Sequence, residues 1–235
     1  MIIPQKKLER KLLKSGYQHI IAVDEVGMVA LAGPVVVCAF KFNKKIFQKN
    51  HKNLRGLRDS KLLSAKQREK FAASLMNLPG LNFQISLCYP KTIDRLNIYQ
   101  ASRLAMRRAV NKLATRDKRQ GTRKTIINRL AGSSCNLQDD PASIVLIDGP
   151  RKIDGINLEQ ISVIKGDRKV FAIACASIIA KVTRDQMMVK YAKRFPNYGF
   201  EKHKGYGTKL HIAQLTSLGL SLIHRKSFAP VSKVL

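Results

Sequence analysis

Near the start of the chain two apolar, β-branched stretches lie close together, HIIAVD at 19–24 and PVVVCAFKF at 34–42. They read as two strands joined by a tight, glycine-containing connection, which commits the chain to a sheet. The first stretch ends in adjacent acids, Asp24 and Glu25. In a regular strand neighbouring side chains point to opposite faces, so one carboxylate would be driven into the core. Either the strand stops at a site that needs negative charge, or the acids mark an ordinary strand-to-turn boundary.

The remaining pattern sets the fold class. Residues 5–15 read as a short amphipathic helix with Leu8, Leu12 and Leu13 on one side, and 43–58 as a polar, basic loop. Ser64 and Gln67 have capping-box spacing and open a helix that runs to about Leu78, where Pro79-Gly80 stops it. NFQISLCY alternates like a strand. Residues 98–114 read as a helix with Ile98, Ala101, Leu104, Ala105 and Ala109 inward. The polar stretch 115–140 reads as an insertion. SIVLIDG and ISVIKGD read as strands ending in Asp148 and Asp167, followed by helices over 169–195 and 209–218. Hairpin strands followed by β-α-β order predict an α/β fold, a mixed sheet flanked by helices.

The 235 residues suit a single domain with a real core. Forty-four Lys+Arg face 15 Asp+Glu, a formal charge of +29 spread along the whole chain. That excess favours a polyanion held in a charged groove, nucleic acid first and an anionic membrane surface second. The four cysteines form no CxxC, which argues against a zinc site or disulfide framework. No stretch approaches the roughly 18 apolar residues of a membrane helix and no signal-peptide core is present, so a cytoplasmic protein is expected.

Three strands ending in acids can bring Asp24, Glu25, Asp148 and Asp167 together, because ligands bind at the carboxyl ends of parallel strands. Each pair of such charges repels by about 1 kcal/mol in water and roughly 4 near a protein surface. Hard cations, Mg²⁺ or Mn²⁺, are the natural compensation. Two of them about 4 Å apart can activate water and stabilise the leaving oxygen of a phosphodiester. The plain alternative is that aspartate ends strands because it suits turns.

The blocks VDEVG…LAGPVV, LRDSKLLS, LNIYQASRLAMRRAV, LIDG, VIKGD, ACASIIAKVTRD, FPNYGFEKHKGYGT and HRKSFAPV occur in this order over about residues 18–231. In these blocks the chain resembles the ribonuclease HII, or type 2 ribonuclease H, family. The resemblance implies a five-stranded mixed sheet with flanking helices, forming one catalytic unit over 1–235. Its core would span about 18–195, with a helical part over about 196–235 beside the substrate groove. It implies cleavage of the RNA strand of RNA–DNA hybrids and nicking beside ribonucleotides embedded in duplex DNA. The ends would be 3′-hydroxyl and 5′-phosphate, the cofactors two Mg²⁺ or Mn²⁺ ions, and the state a monomer. By the same resemblance Asp24, Glu25, Asp148 and Asp167 are the metal-site acids. Glu25 would reach the metals because the strand ends there and the chain turns toward Gly27. Tyr206 would pack on the sugar at the RNA–DNA junction, and Lys61 and Lys181 would contact phosphate. Asp185 reads as a structural acid within a helix.

One departure stands out. The family carries Gly-Arg-Gly-Pro after the acidic pair, a backbone that cradles the 2′-hydroxyl and adjacent phosphate; here the chain reads Gly27-Met28-Val29-Ala30. Met28 removes a phosphate-pairing guanidinium. Val29 resists the positive φ that glycine allows. Retained hydrolysis with weakened junction preference is expected. A non-catalytic or decayed basic nucleic-acid-binding protein is the competing class, and a nuclease for another substrate, such as Holliday junctions, a third.

Overall fold

The computed structural model describes residues 3–48, 51–79, 81–120 and 142–234. In chain order the elements are α1 (Lys7–Lys14), β1 (His19–Val26), β2 (Val35–Asn43), α2 (Lys44–Gln48), α3 (Ala65–Met76), β3 (Asn82–Cys88), α4 (Pro90–Leu96) and α5 (Ile98–Gln120). They continue with β4 (Ser143–Asp148), β5 (Glu159–Val163), α6 (Gly166–Lys169), α7 (Phe171–Arg194), α8 (Phe200–His203) and α9 (Lys209–Leu218). One five-stranded sheet has the order β3-β2-β1-β4-β5. β1, β2 and β3 pair antiparallel, while β4 and β5 run parallel to β1.

Strand alternation divides the core into two layers. Ile20, Ala22, Phe40, Ile144 and Leu146 pack against α1, α3 and α7. Ile21, Val23, Val37, Val145 and Ile147 pack against the buried alanines of α5, Ala101, Ala105 and Ala109. Each large apolar side chain buried this way contributes about 1.5–3 kcal/mol. The capping box is present, with Ser64 Oγ accepting from Gln67 N–H and Gln67 Oε1 accepting from Ser64 N–H. The start of α7 has no such side chain of its own, since Val170 precedes it; instead Glu9, buried on α1, accepts the Ala172 N–H at 2.9 Å.

Several sequence expectations are corrected here. β1 does not stop at Glu25: it runs on to Val26, held by β2 through Glu25↔Val37 and Val26↔Val36. Asp167 does not end a strand; β5 closes at Val163 and Asp167 sits in the first turn of α6. The stretch 43–58 is not all loop, containing α2 and a 3-10 turn at Lys52–Leu54. α3 ends at Met76, and α4, started by Pro90 at its first position, was not foreseen. The helix at 98 continues through 115–120 to Gln120, and the rest of the expected insertion, 121–140, lies outside the described residues. Among the described residues no helix is long and apolar enough to cross a membrane.

Candidate active site

The β1–β4 ladder ends at Val23↔Ile147, so Asp24 and Asp148 follow at the same height on neighbouring strands, both on the α7 side by alternation. Glu25 falls on the α5 side. β1 thus outruns β4, and its final residues lack a partner on that side. There the two acids of the pair, on opposite faces, both stay close enough to Asp148 to feel its charge. Asp24 is 4% exposed, and burial first, then Glu25 and Asp148, push its carboxyl well above the ordinary range. Burial and Asp148 raise Glu25 to about 7. Burial also raises Asp148, against the hydrogen bond it accepts from Gly166 N–H at 2.7 Å. Lys165 makes that bond possible by adopting a left-handed φ of 57°, which turns the chain from β5 into α6 and delivers buried Asp167 beside Asp148.

The segment Asp59-Ser60-Lys61 closes one flank. Lys61 Nζ reaches Asp167 Oδ2 at 3.2 Å, while its side chain stays 72% exposed. Ser60 Oγ lies 3.2 Å from Ser177 Oγ, and the Ser177 hydroxyl donates to Asp24. Asp59, fully buried, accepts from Lys61 N–H and from Arg168 Nε, both at 2.9 Å. It therefore pins the Lys61 segment to the turn that carries Asp167. Sequence reading missed Asp59; only its place beside Ser60 and Lys61 hinted at it.

The other flank is the turn after the acid pair. Gly27 has φ +95°, and a Cβ there would stand 2.4 Å from Arg184 Nε. Ala30 N–H returns to Gly27 O at 3.4 Å. Val29 keeps an ordinary φ, as its branching demands, and projects into solvent at 74% exposure; Met28 packs on the α5-side core. Tyr206 bridges this turn at Ala30, and the cations of Lys181 and Arg184 lie 5.3 and 5.1 Å from its ring. Gly205 must be glycine, since a Cβ would sit 2.5 Å from Ala32 O. Lys181 also pairs with Asp185 at 2.8 Å, and the other Asp185 oxygen faces Arg68 of α3 at 3.9 Å, so Asp185 is a structural acid tying α7 to α3. Lys181 and Tyr206 line a cleft of about 800 Å³ along α7, with Arg68, Lys190, Lys193 and Lys202.

Beneath this flank lies a buried polar clamp that the sequence did not reveal. Arg184 donates to the carbonyls of Pro34, Lys204 and Ala32 at 2.9–3.0 Å. Arg225 donates to Gly33 O and Met28 O. His203 Nδ1 accepts from Gly205 N–H, so its Nε2 carries the proton donated to Tyr198 O. His224 Nδ1 accepts from Ser221 N–H, so its Nε2–H donates to His211 Nε2 at 3.1 Å, and His211 Nδ1–H donates to Tyr206 O. All three rings are satisfied only when neutral, and burial holds His211 and His224 down at about 4.

Among the described residues no three His, Cys, Asp or Glu side chains form a ready-made metal cage. The acids nonetheless fit a hard cation: the donors are all oxygen, Asp148 raises the proton affinity of both Asp24 and Glu25, and Glu25 Oε2 is buried with no hydrogen-bond partner among the described residues. Mg²⁺ commonly takes one or two carboxylates and completes its shell with water and substrate oxygens, so a closed cage is not required.

Comparison with known proteins gives the family. The family model for ribonuclease HII matches residues 21–231. The chain belongs to the ribonuclease HII family. It is 40% identical over 222 residues to ribonuclease HII of Caldicellulosiruptor saccharolyticus, covering 94% of this chain and 92% of that one. Ribonuclease HII of Bacillus licheniformis is 40% identical, over 95% of this chain and 74% of that one. The crystal structure of ribonuclease H2 from Pyrococcus horikoshii shares the fold at a TM-score of 0.60 and 23% identity, covering 92% and 96%. Membership makes the chain a nuclease of the ribonuclease H class and agrees with the five-stranded mixed sheet expected from sequence. α1 lies outside the span matched by the family.

Proposed function

We propose that the chain is a divalent-metal-dependent endoribonuclease that hydrolyses the RNA strand of RNA–DNA hybrids and nicks duplex DNA beside embedded ribonucleotides, leaving 3′-hydroxyl and 5′-phosphate ends. The observation that carries this reading is a set of buried, mutually repelling carboxyls on a chain of charge +29, next to a cation-flanked tyrosine. A protein that only bound polyanions would gain nothing from acids facing its ligand.

Asp24, Glu25, Asp148 and Asp167 would hold the ions. Two Mg²⁺ or Mn²⁺ would supply an activated water and stabilise the leaving 3′-oxygen. Lys61, now on Asp167, would exchange that carboxylate for a substrate phosphate. Lys181 and the basic cleft along α7 would carry backbone phosphates, in line with contacts that position without reading sequence. Tyr206 would pack on the sugar, whose 2′-hydroxyl separates RNA from DNA. Gly27, Met28 and Val29 line the same turn. Met28 offers no guanidinium and Val29 no glycine-like φ, so hydrolysis would persist while preference for a lone ribonucleotide weakens. The whole chain would act as one cytoplasmic, monomeric catalytic unit.

The test compares a duplex with one ribonucleotide against a continuous hybrid, in Mg²⁺ and in Mn²⁺. Cleavage of the hybrid with reduced incision at the lone ribonucleotide is expected. Full-strength incision at the single ribonucleotide would refute the weakened junction, and no metal-dependent cleavage of either substrate would refute the enzyme. Replacing Met28-Val29 by Arg-Gly should restore the junction preference.

A further inference from the structure

Tyr206 has a counterpart across the sheet. Tyr99 opens α5, is 37% exposed, and is engaged by two guanidiniums. Arg103 donates to its hydroxyl through Nη2 at 3.0 Å and Nε at 3.3 Å, with Cζ 5.2 Å from the ring centre; Arg151 lies 5.6 Å from the same ring. Arg151 follows Asp148 by three residues, and Arg103 is close enough that its charge opposes the rise of the Glu25 carboxyl. A solvent-facing tyrosine with two guanidiniums packs on no core cluster and lies beside the acids on the α5 face, whereas Tyr206 belongs to the α7 face.

We propose that Tyr99, Arg103 and Arg151 form a second nucleic-acid contact, which takes the sugar–phosphate backbone of the cut strand beyond the scissile bond, on the side away from Tyr206. The chemistry fits: guanidiniums pair with phosphate in a planar fork, and an exposed ring offers a face to a sugar or base worth about 1–3 kcal/mol per stacked base. A strand lying over the acids has to leave them on both sides, and each exit then carries one cation-flanked tyrosine. Holding both exits would fix the scissile phosphate between them, which suits a chain whose junction turn has lost its arginine. The proposal rests on the endoribonuclease reading given above.

The experiment uses Tyr99→Ala and Arg151→Gln; Arg103 is left intact because it acts on Glu25. Cleavage is measured on a full-length duplex and on one whose cut strand stops just past the scissile phosphate. On the full duplex each variant should raise KM about tenfold with kcat within twofold, and Tyr99→Phe should fall between Tyr99→Ala and the parent. Shortening the strand should cost the parent a similar factor, and combining the two losses should cost no more than either alone. Equal, additive losses on both duplexes would overturn the assignment, as would an unchanged KM. Binding of the same duplexes by Asp148→Asn, with and without Tyr99→Ala, reads the contact without cleavage. If no duplex is cut by the parent but Tyr99→Ala still weakens binding to the long strand alone, the activity reading fails and the contact stands.

Discussion

Two groups of buried ionisable side chains lie on either side of the Gly27 turn, and the fold treats them in opposite ways. In the clamp, Arg184 spends three donors on three carbonyls, His224 donates to His211 and His211 to Tyr206 O, and His203 donates to Tyr198 O while accepting from Gly205 N–H, so every ring nitrogen has a role. At the sheet end, Asp24, Glu25 and Asp148 are raised by burial and by one another, with only scattered donors to relieve them. Burial is similar; satisfaction is not, since in the clamp only Arg225 Nη2 lacks a partner among the described residues. Satisfied polar groups of this kind specify geometry, whereas unsatisfied ones mark where an outside charge is awaited.

The contrast is sharpest when one residue is removed from each group. Asp148→Asn should cut activity at least about a thousandfold, about 4 kcal/mol in the barrier, yet raise the melting temperature measured without divalent ions. Asn still accepts from Gly166 N–H while relieving repulsion of Asp24 and Glu25. In the parent, Mg²⁺ or Mn²⁺ should raise the melting temperature saturably, and Asp148→Asn should blunt that rise; a destabilised variant would place Asp148 with the satisfied groups.

Arg184→Met should do the reverse. It orphans three buried carbonyls and costs about 3 kcal/mol or more of stability in urea unfolding. A neutral result would mean that the clamp is dispensable.

Acid should loosen the clamp as well. His211 and His224 sit at about 4 in the fold against about 6.5 when unfolded, so only the unfolded chain takes up protons between those values. The contribution of these rings is therefore full above about pH 6.5 and declines as pH falls toward 4, by about 3 kcal/mol for the first ring to be charged. The raised carboxyl of Glu25 contributes in the opposite sense over the same range. Equilibrium unfolding of the parent and of His224→Gln across that range isolates the ring: relative to the parent, the variant should lose less stability on acidification, and identical pH dependence would overturn it.

Asp59 tests the boundary. It stands among the acids yet is fully partnered, so Asp59→Asn should cost about 1–2 kcal/mol of stability and lower kcat through a loosened Asp167 more than it raises KM. A gain in stability would break the division drawn between the two groups.

Much of this was legible from the chain, for reasons local to it. β1, β2 and β4 announce themselves through runs of branched residues, and Ser64 and Gln67 through their spacing. The acids Asp24 and Asp148 were found because each closes such a run. What escaped depends on partners far away in sequence. That β1 continues past Glu25 is decided by β2, and that Asp167 sits on a helix is decided by a left-handed Lys165, which no propensity favours. Asp59 meets Arg168 across 109 residues, and His211 bonds His224 and stacks on His203 only after α8 and α9 are folded back.

The bond from Glu9 to Ala172 gives the first helix a reach beyond its size. α7 carries Ser177, Lys181 and Arg184, so the alignment of three site elements hangs on a carboxylate supplied by a helix that the family match does not cover. A shortened chain starting at His19 would retain every candidate site residue, yet it would leave that long helix free to fray from its beginning.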